Sequence, residues 1–426
     1  MKDITFKKVL LISNTPISPY SAQGASRGSW FSAWDKDRLA HMTFCDSDSS
    51  NHFCNYYFTI TRAEKRLIRF FKRDSNKPKN SNEENKIMAV SQTQSKKSGI
   101  KTTLMLIMQA LTMPRYSKRL TAFLNEFKPD IIFCALADSY NARLTMMIAN
   151  KLNIPYIIQQ EDNWLTTEID DGIIGKAIYR IRENSLKKAL AHSSKNYVIC
   201  PSMKTFYEAS FEKEFENLFC ADEFSRFIAP EKYDINKKTT FLYIGNSQPG
   251  RSAGFVKIAK AIEDTNMINP NFVIYSNNVS KTDVEALASY DFVKIKPHIH
   301  HDDVALALSK ANVLVLCESF KPDDIEYTRL ALSSKIQIYM MAKVPMLIFA
   351  PRQTGVMDYA LKSKFAYTVT IDDERNLEKA VVEITKNTAV RKELVASAVK
   401  VAKQNHDALI IRQNLKQAIY NICEKY

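Results

Sequence analysis

Two stretches of this chain combine the residue types that can hold a phosphate. In FLYIGNSQPGRSAGF (241–255), an apolar run that reads as a buried strand ends in Gly245-Asn246. The chain then turns through Pro249-Gly250 and reaches Arg251 where a helix begins. Three of the nine glycines of the whole chain fall here, at 245, 250 and 254. Glycine lets backbone approach a ligand closely, the N–H groups of a helix start favour phosphate oxygens, and a guanidinium adds a two-pronged cation. In YTRLALSSKIQIYMMAKVPMLIFAP (327–351), Ser333, Ser334 and Lys335 open another helix after the strand VLVLC (313–317). A cation in a first turn opposes the helix dipole, so Lys335 is better placed if it faces an anion. Two such sites at carboxyl ends of strands describe a pocket for a diphosphate. Each stretch alone also suits an ordinary strand–turn–helix with a solvated cation.

The elements that must position these groups follow a regular plan. Apolar runs at 8–12, 130–134, 156–159, 197–200, 241–244, 272–275, 313–317 and 346–349 read as buried parallel strands, and helical periodicity appears between them, as in Ser139–Leu152 and Ala253–Ile262. Strands alternating with helices predict a doubly wound α/β arrangement, and the series runs twice. The expected division is a domain over 1–222, a polar linker over 223–238, a second domain over 239–405 and a terminal helix over 406–426. That helix, packed back on the first domain, would align Leu409, Ile410, Leu415, Ile419 and Ile422 along one side. Residues 74–99, rich in Asn, Ser, Lys and Gln, read as a mobile loop. They follow RAEKRLIRFFKR (62–73), whose spacing predicts a basic amphipathic helix. Such a helix fits an anionic membrane surface, and equally fits docking on its own domain with a solvated basic face.

Composition narrows the class. With 426 residues the chain is too long for one ordinary core. A net charge of +14 favours anionic partners without choosing among them. No nucleic-acid-binding module is recognisable, so nucleic acid is not expected as a partner. Seven scattered cysteines without a CxxC pair fit a reduced, cytoplasmic compartment. The longest apolar stretch, 104–113, is about half of a bilayer span.

Other signals are discounted. Asp46-Ser47-Asp48 has the D-x-D form of metal-dependent sugar transfer but sits in a polar loop, and His298, His300 and His301 lack the further ligand that zinc needs. Neither GxGxxG nor GxxxxGK[ST] occurs. No metal or other cofactor is expected.

The phosphate-site stretches carry a specific resemblance. GNxxPGR after a strand, followed by ESFKPDDIEYTRLALSSKIQIYMMAKVPML, resembles the donor domain of bacterial group 1 (family 4-like) glycosyltransferases, in the polysaccharide-biosynthesis branch. Ser333-Ser334-Lys335 stands for the family's S-T-K, with Tyr339 and Pro345 in step. FKPDIIFCALADSYNARLTMMIANKLNIPYIIQQEDNW (127–164) resembles the acceptor domain, and NTPISPYSAQGASRGSWFSAWDKDRLA (14–40), with Gly24 and Ser26, resembles the loop facing the donor. The likeness covers most of the chain apart from roughly 62–115. It departs at Ile338, where the family has a ribose-binding Glu, and at Lys343, where it has Gly; either Glu318 or Glu326 then replaces that Glu, or ribose recognition is weakened.

The resemblance implies a GT-B fold: two Rossmann-like doubly wound domains facing a cleft. It also implies a nucleotide-sugar donor on the second domain and a glycan or lipid-carrier acceptor on the first. Sugar transfer would be retaining and metal-independent, at the cytoplasmic face of a membrane. Fixed cations at Arg251 and Lys335 would then stabilise the departing diphosphate. Gly245, Asn246, His298, Ile299, Glu318, Ser333 and Ser334 would line the donor. Asp162, after the strand end in QQEDNW, is the carboxylate best placed to orient an acceptor, though it also suits a turn or a helix cap. Asp138 shares that position and equally suits capping the helix from Ser139. The rivals are a catalytically weak binding subunit and a nucleotide-sugar epimerase of the same fold.

Overall fold

The computed structural model describes residues 6–18, 22–44, 53–66, 100–165 and 172–426. The D-x-D at 46–48 and the segment 74–99 lie outside them. Fifteen strands are described: β1 (Val9–Ile12), β2 (Leu39–Thr43), β3 (Tyr56–Thr59), β4 (Lys65–Arg66), β5 (Met113–Pro114), β6 (Ile131–Leu136), β7 (Tyr156–Gln160), β8 (Lys195–Val198), β9 (Glu216–Asn217), β10 (Thr239–Ile244), β11 (Pro270–Tyr275), β12 (Val293–Lys296), β13 (Val313–Cys317), β14 (Met346–Phe349) and β15 (Tyr367–Val369). They form a seven-stranded sheet in the order β3-β2-β1-β6-β7-β8-β9, a six-stranded sheet in the order β12-β11-β10-β13-β14-β15, and the small pair β4-β5.

Every pair in the six-stranded sheet is parallel. Parallel strands need helices on both faces and are therefore apolar on both sides. That is why VLLI, IIFCAL, VLVLC and MLIF are buried at every position. In each sheet the chain works outward from its first strand and then returns to that strand's other side, β1 to β6 and β10 to β13. Ligands in such sheets bind at the carboxyl ends beside this reversal. β10 ends just before Gly245 and β13 just before Glu318.

The chain divides into two compact units. Met1–Pro16, Trp34–Tyr197 and Ala418–Tyr426 form one; Ile17–Ala33 and Val198–Gln417 form the other. Within the second, Phe241, Phe255, Phe272, Leu347 and Ile384 are among the buried side chains of a single core. The segment 223–238 runs along this unit, with Glu231 N–H donating to the Ser309 carbonyl and the Arg391 guanidinium 3.8 Å from the Tyr233 ring centroid. Within the first, Glu424 of the terminal helix accepts from Lys7 at 2.8 Å.

Several sequence expectations are corrected. The strand expected at 197–200 ends at Val198, because Cys200 caps the helix Pro201–Phe211, whose proline occupies the first turn. The terminal helix, Ala408–Lys425, buries Ala408, Ile411, Leu415 and Ile419, whereas Leu409 and Ile410 are exposed. The helix expected over 62–73 is not formed where it is described. Arg62–Glu64 is a single 3-10 turn and Lys65–Arg66 is β4, paired antiparallel with β5; residues 67–73 lie outside the described set.

Glu64 explains that difference. Its carboxylate is fully buried, accepts from the Thr61 N–H and hydroxyl and from Ser117 Oγ at 2.6 Å, and pairs with Arg119. Burial opposes its charge, but the Ser117 and Thr61 hydrogen bonds and Arg119 prevail, holding the carboxyl below its ordinary value. A carboxylate so solvated by protein holds the local backbone in a capped turn.

Candidate functional site

The second unit brings the phosphate-site residues together at the β10/β13 reversal. Gly245 leaves β10 with φ +126°, a conformation side chains avoid, and a β-carbon there would lie 2.5 Å from Lys335 Cε. The glycine therefore lets the Lys335 side chain lie across the strand end. Lys335 caps the helix Ile336–Met341, and its ammonium sits 5.2 Å from the Tyr243 ring centroid and 3.4 Å from Ser333 Oγ. From the same helix, Tyr339 hydroxyl accepts the Ile244 N–H at 2.9 Å. That bond fixes the last residue of β10 against the helix that carries Lys335.

Arg251 stands just before the helix Ser252–Asp264, with only 13% of its side chain exposed. Its Nε and Nη2 form a fork on the Glu318 carboxylate at 2.7 and 3.1 Å, and Nη1 donates to the Gln248 carbonyl. Three of five guanidinium donors are thereby used, and two remain. Burial disfavours the Arg251 charge, yet Glu318 outweighs it and raises the pKa. The reverse holds for Lys335. Burial, and next the Arg251 charge, lower its pKa to about 8 against the pull of Glu318. The two cations are thus close enough to repel one another, and the Glu318 carboxylate attracts both.

The turn between Gly245 and Arg251 is tightly built. Asn246 Oδ1 accepts from Gln248 N–H at 2.9 Å and from Asn278 Nδ2 at 3.2 Å. Gly250 has φ +56°, and a β-carbon there would meet Asp324 Oδ2 and Ser319 Oγ. Gly254 lets its helix approach β13, where a β-carbon would sit 3.1 Å from Cys317 Sγ. Ser247 is fully buried in this turn, and its hydroxyl has no hydrogen-bond partner. Such a group is uncommon in native proteins and costs about 1–3 kcal/mol.

The remaining donor-side residues are spread more widely. His298 and Ile299 follow β12, two strands from β10; His298 is exposed and its N–H donates to Asn277 Oδ1 at 2.8 Å. Asn277 and Asn278 after β11 thus link the loops of three neighbouring strands. Sequence reasoning missed both, although an Asn pair directly after a strand was a readable signal. It also missed Ser319 and Asp324, which close on Gly250. Ser334 is half-buried beside Ser333. Of the two carboxylates considered in place of the family glutamate, Glu318 is committed to Arg251, and the exposed Glu326 pairs with Arg329 at 2.9 Å. Ile338 is half-buried in the helix that Lys335 caps.

The acceptor-side residues have structural partners. Asp138 is the cap of Ser139–Leu152, accepting the Asn141 N–H at 2.8 Å and Asn14 Nδ2 at 3.0 Å. Asp162 lies in the bend after β7, where its carbonyl accepts the Trp164 N–H. Gly24 and Ser26 sit buried in the helix Ala22–Phe31, in the second unit, where Ser26 Oγ donates to Cys220 Sγ at 3.1 Å. Among the described residues, no three His, Cys, Asp or Glu side chains converge as metal ligands do.

None of the known protein families and none of the curated proteins compared matches this chain. Solved structures do. Sucrose-phosphate synthase from Thermosynechococcus elongatus superposes with a TM-score of 0.62 at 12% identity, covering 98% of this chain and 99% of that one. HepE from Anabaena, solved with UDP, gives 0.63 at 13% identity over 97% and 100%. A putative UDP-N-acetylglucosamine 2-epimerase from Listeria monocytogenes gives 0.58 at 8% identity over 99% and 98%. The fold of this chain is the two-domain α/β GT-B fold that these proteins share.

Proposed function

We propose that the protein transfers a sugar from a nucleotide-diphosphate donor to a glycan or lipid-linked acceptor in cell-surface polysaccharide synthesis. The observation that carries this reading is the pairing of Arg251 and Lys335 at the β10/β13 reversal, where burial first and the Arg251 charge next lower Lys335 to about 8. A pyrophosphate there would relieve the repulsion and accept hydrogen bonds from the two unused Arg251 donors. HepE, of the same fold, is a protein solved with UDP and with UDP-glucose, which supports a nucleotide sugar here.

Chemically, the glycosidic bond to the diphosphate breaks as negative charge collects on the leaving phosphate. Preorganised cations at that position are worth about 3–4 kcal/mol each in comparable sites. Arg251 and Lys335 take this role, so the reading assigns a metal-independent, retaining transfer in which the acceptor hydroxyl approaches beside the leaving group. Gly245, Asn246, Ser333 and Ser334 shape the phosphate pocket; Glu318 holds the Arg251 fork in place and does not stand in for the ribose-binding glutamate. His298 and Ile299 are assigned to the base, and Asp162 to the acceptor. The enzyme is assigned to the cytoplasmic face of a membrane as a peripheral protein.

The test is incubation of the purified protein with labelled nucleotide sugars, with and without membrane extract. Label entering the extract only with wild-type protein, and lost with Arg251→Ala or Lys335→Ala, is the expected result. Label recovered as free sugar or an epimer without any acceptor would favour the epimerase reading, which the Listeria neighbour keeps in view. Nucleotide binding without turnover of any donor would leave a binding subunit.

A further inference from the structure

One carboxylate beside the diphosphate site has no partner in the fold. Asp324 stands in the first turn of the helix Pro322–Thr328 and is half-buried. Its backbone carbonyl accepts from Thr328 Oγ1, but among the described residues no hydrogen bond or ion pair reaches its carboxylate. Asp324 Oδ2 and Ser319 Oγ together fill the space where a side chain on residue 250 would project, which Gly250 leaves open. Ser319 is buried, and its hydroxyl accepts the Lys321 N–H at 3.2 Å, which leaves its proton to donate. Both groups therefore flank the turn directly before Arg251, and Ser319 directly follows Glu318, which holds the Arg251 fork.

A half-buried carboxylate is costly unless a counterpart meets it. At a diphosphate site the counterpart is a cation of the protein, a divalent ion or hydroxyl groups of the ligand. The protein's cations are otherwise engaged. Arg251 draws its counter-charge from Glu318, and the carboxylate that acts on Lys335 is Glu318 again. A divalent ion would sit close to these two fixed cations, which repel it. Hydroxyls bring no charge and can donate, and an ionised carboxylate can only accept. We propose that Asp324, flanked by Ser319, accepts hydrogen bonds from two neighbouring hydroxyls of the donor, so that the site selects a diphosphate that carries a diol over a bare diphosphate. The diol is that of the ribose or of the transferred sugar. This rests on the sugar-transfer reading and deepens it, by naming what binds next to the phosphates.

The test is isothermal titration of the full chain with pyrophosphate, UDP, 2′,3′-dideoxy-UDP and UDP-glucose, each in EDTA and again in magnesium. Asp324→Asn keeps the shape of the side chain and removes its charge. Pyrophosphate is expected to bind this variant at least as tightly as wild type, because a nearby negative charge has gone. The diol-bearing ligand is expected to bind it about ten- to hundredfold more weakly. The opposite signs matter, since a merely structural role would move all four ligands together. A loss seen with UDP and absent with the dideoxy nucleotide assigns the ribose; a loss confined to UDP-glucose assigns the transferred sugar. Ser319→Ala is expected to weaken the same ligand by a smaller factor. Three outcomes overturn the proposal alone: all four ligands weakened alike, none weakened, or a magnesium dependence of wild-type binding that Asp324→Asn removes. Wild-type protein that binds pyrophosphate but neither UDP nor UDP-glucose overturns the sugar-transfer reading, and this one with it.

Discussion

Under the proposed function, the lowered Lys335 pKa would make nucleotide binding depend on pH in a window where ordinary lysines do not titrate. A lysine at its usual 10.5 is charged at both pH 7 and pH 9; one titrating at about 8 is charged at the first and largely neutral at the second. If only the ammonium form holds the diphosphate, the apparent dissociation constant scales with one plus the ratio of neutral to charged lysine. It therefore rises about tenfold from pH 7 to pH 9, or about 1.4 kcal/mol. The terminal phosphate ionises near 6 and contributes little above pH 7. Isothermal titration with UDP across this range reads the effect directly, and proton uptake at pH 8.5 should accompany binding as the anion restores the lysine charge. Lys335→Arg keeps a permanent cation and should flatten the profile. The sign for stability runs the other way. In the unliganded fold this group's contribution is complete above pH 10.5 and is lost as pH falls through about 8. At pH 7, Lys335→Met should therefore stabilise the unliganded protein by up to about 3 kcal/mol in urea unfolding while weakening UDP binding. A wild-type binding profile as flat as that of Lys335→Arg would show that Lys335 does not control binding in this pH range.

Removing the Arg251 fork leaves Glu318, 3% exposed, without its partner. Arg251→Ala should cost about 3–5 kcal/mol in chemical denaturation, and Arg251→Met/Glu318→Leu should recover most of that without recovering UDP binding. His406 is fully buried; its Nδ1–H donates to the Cys220 carbonyl and Nε2 accepts from Tyr359, while burial lowers its pKa to about 4. The neutral ring is the stable one in the fold, so stability present above pH 6.5 should fall by about 3 kcal/mol as pH drops to 4, and His406→Gln should lose that slope in urea midpoints. Lys343, where the resemblance leads one to expect glycine, has φ +59° and an exposed side chain. Lys343→Gly should raise the melting temperature, with a gain of about 1 kcal/mol.

The sequence alone determined the layered plan of this protein. Strands buried on both faces must be apolar throughout, so VLLI, IIFCAL, VLVLC and MLIF were legible as a doubly wound core without any partner being known. Local chemistry was equally readable: Asp138 before Ser139 caps its helix, and glycine at 245 and 250 marks backbone that other residues avoid. Outer strands such as β12, with VKIK largely exposed, escaped notice because they lack the apolar run that identifies an inner strand. Only the tertiary structure decided what each charge does. The RAEK of 62–65 reads as helix by spacing, yet becomes a turn because Ser117 and Arg119, more than fifty residues away, solvate Glu64. Arg251, Glu318 and Lys335 lie 84 residues apart at the extremes, and their spacing says nothing of which pairs and which repels. That assignment follows from the reversal of strand order between β10 and β13, which sets their loops side by side where water is too scarce to screen one charge from another.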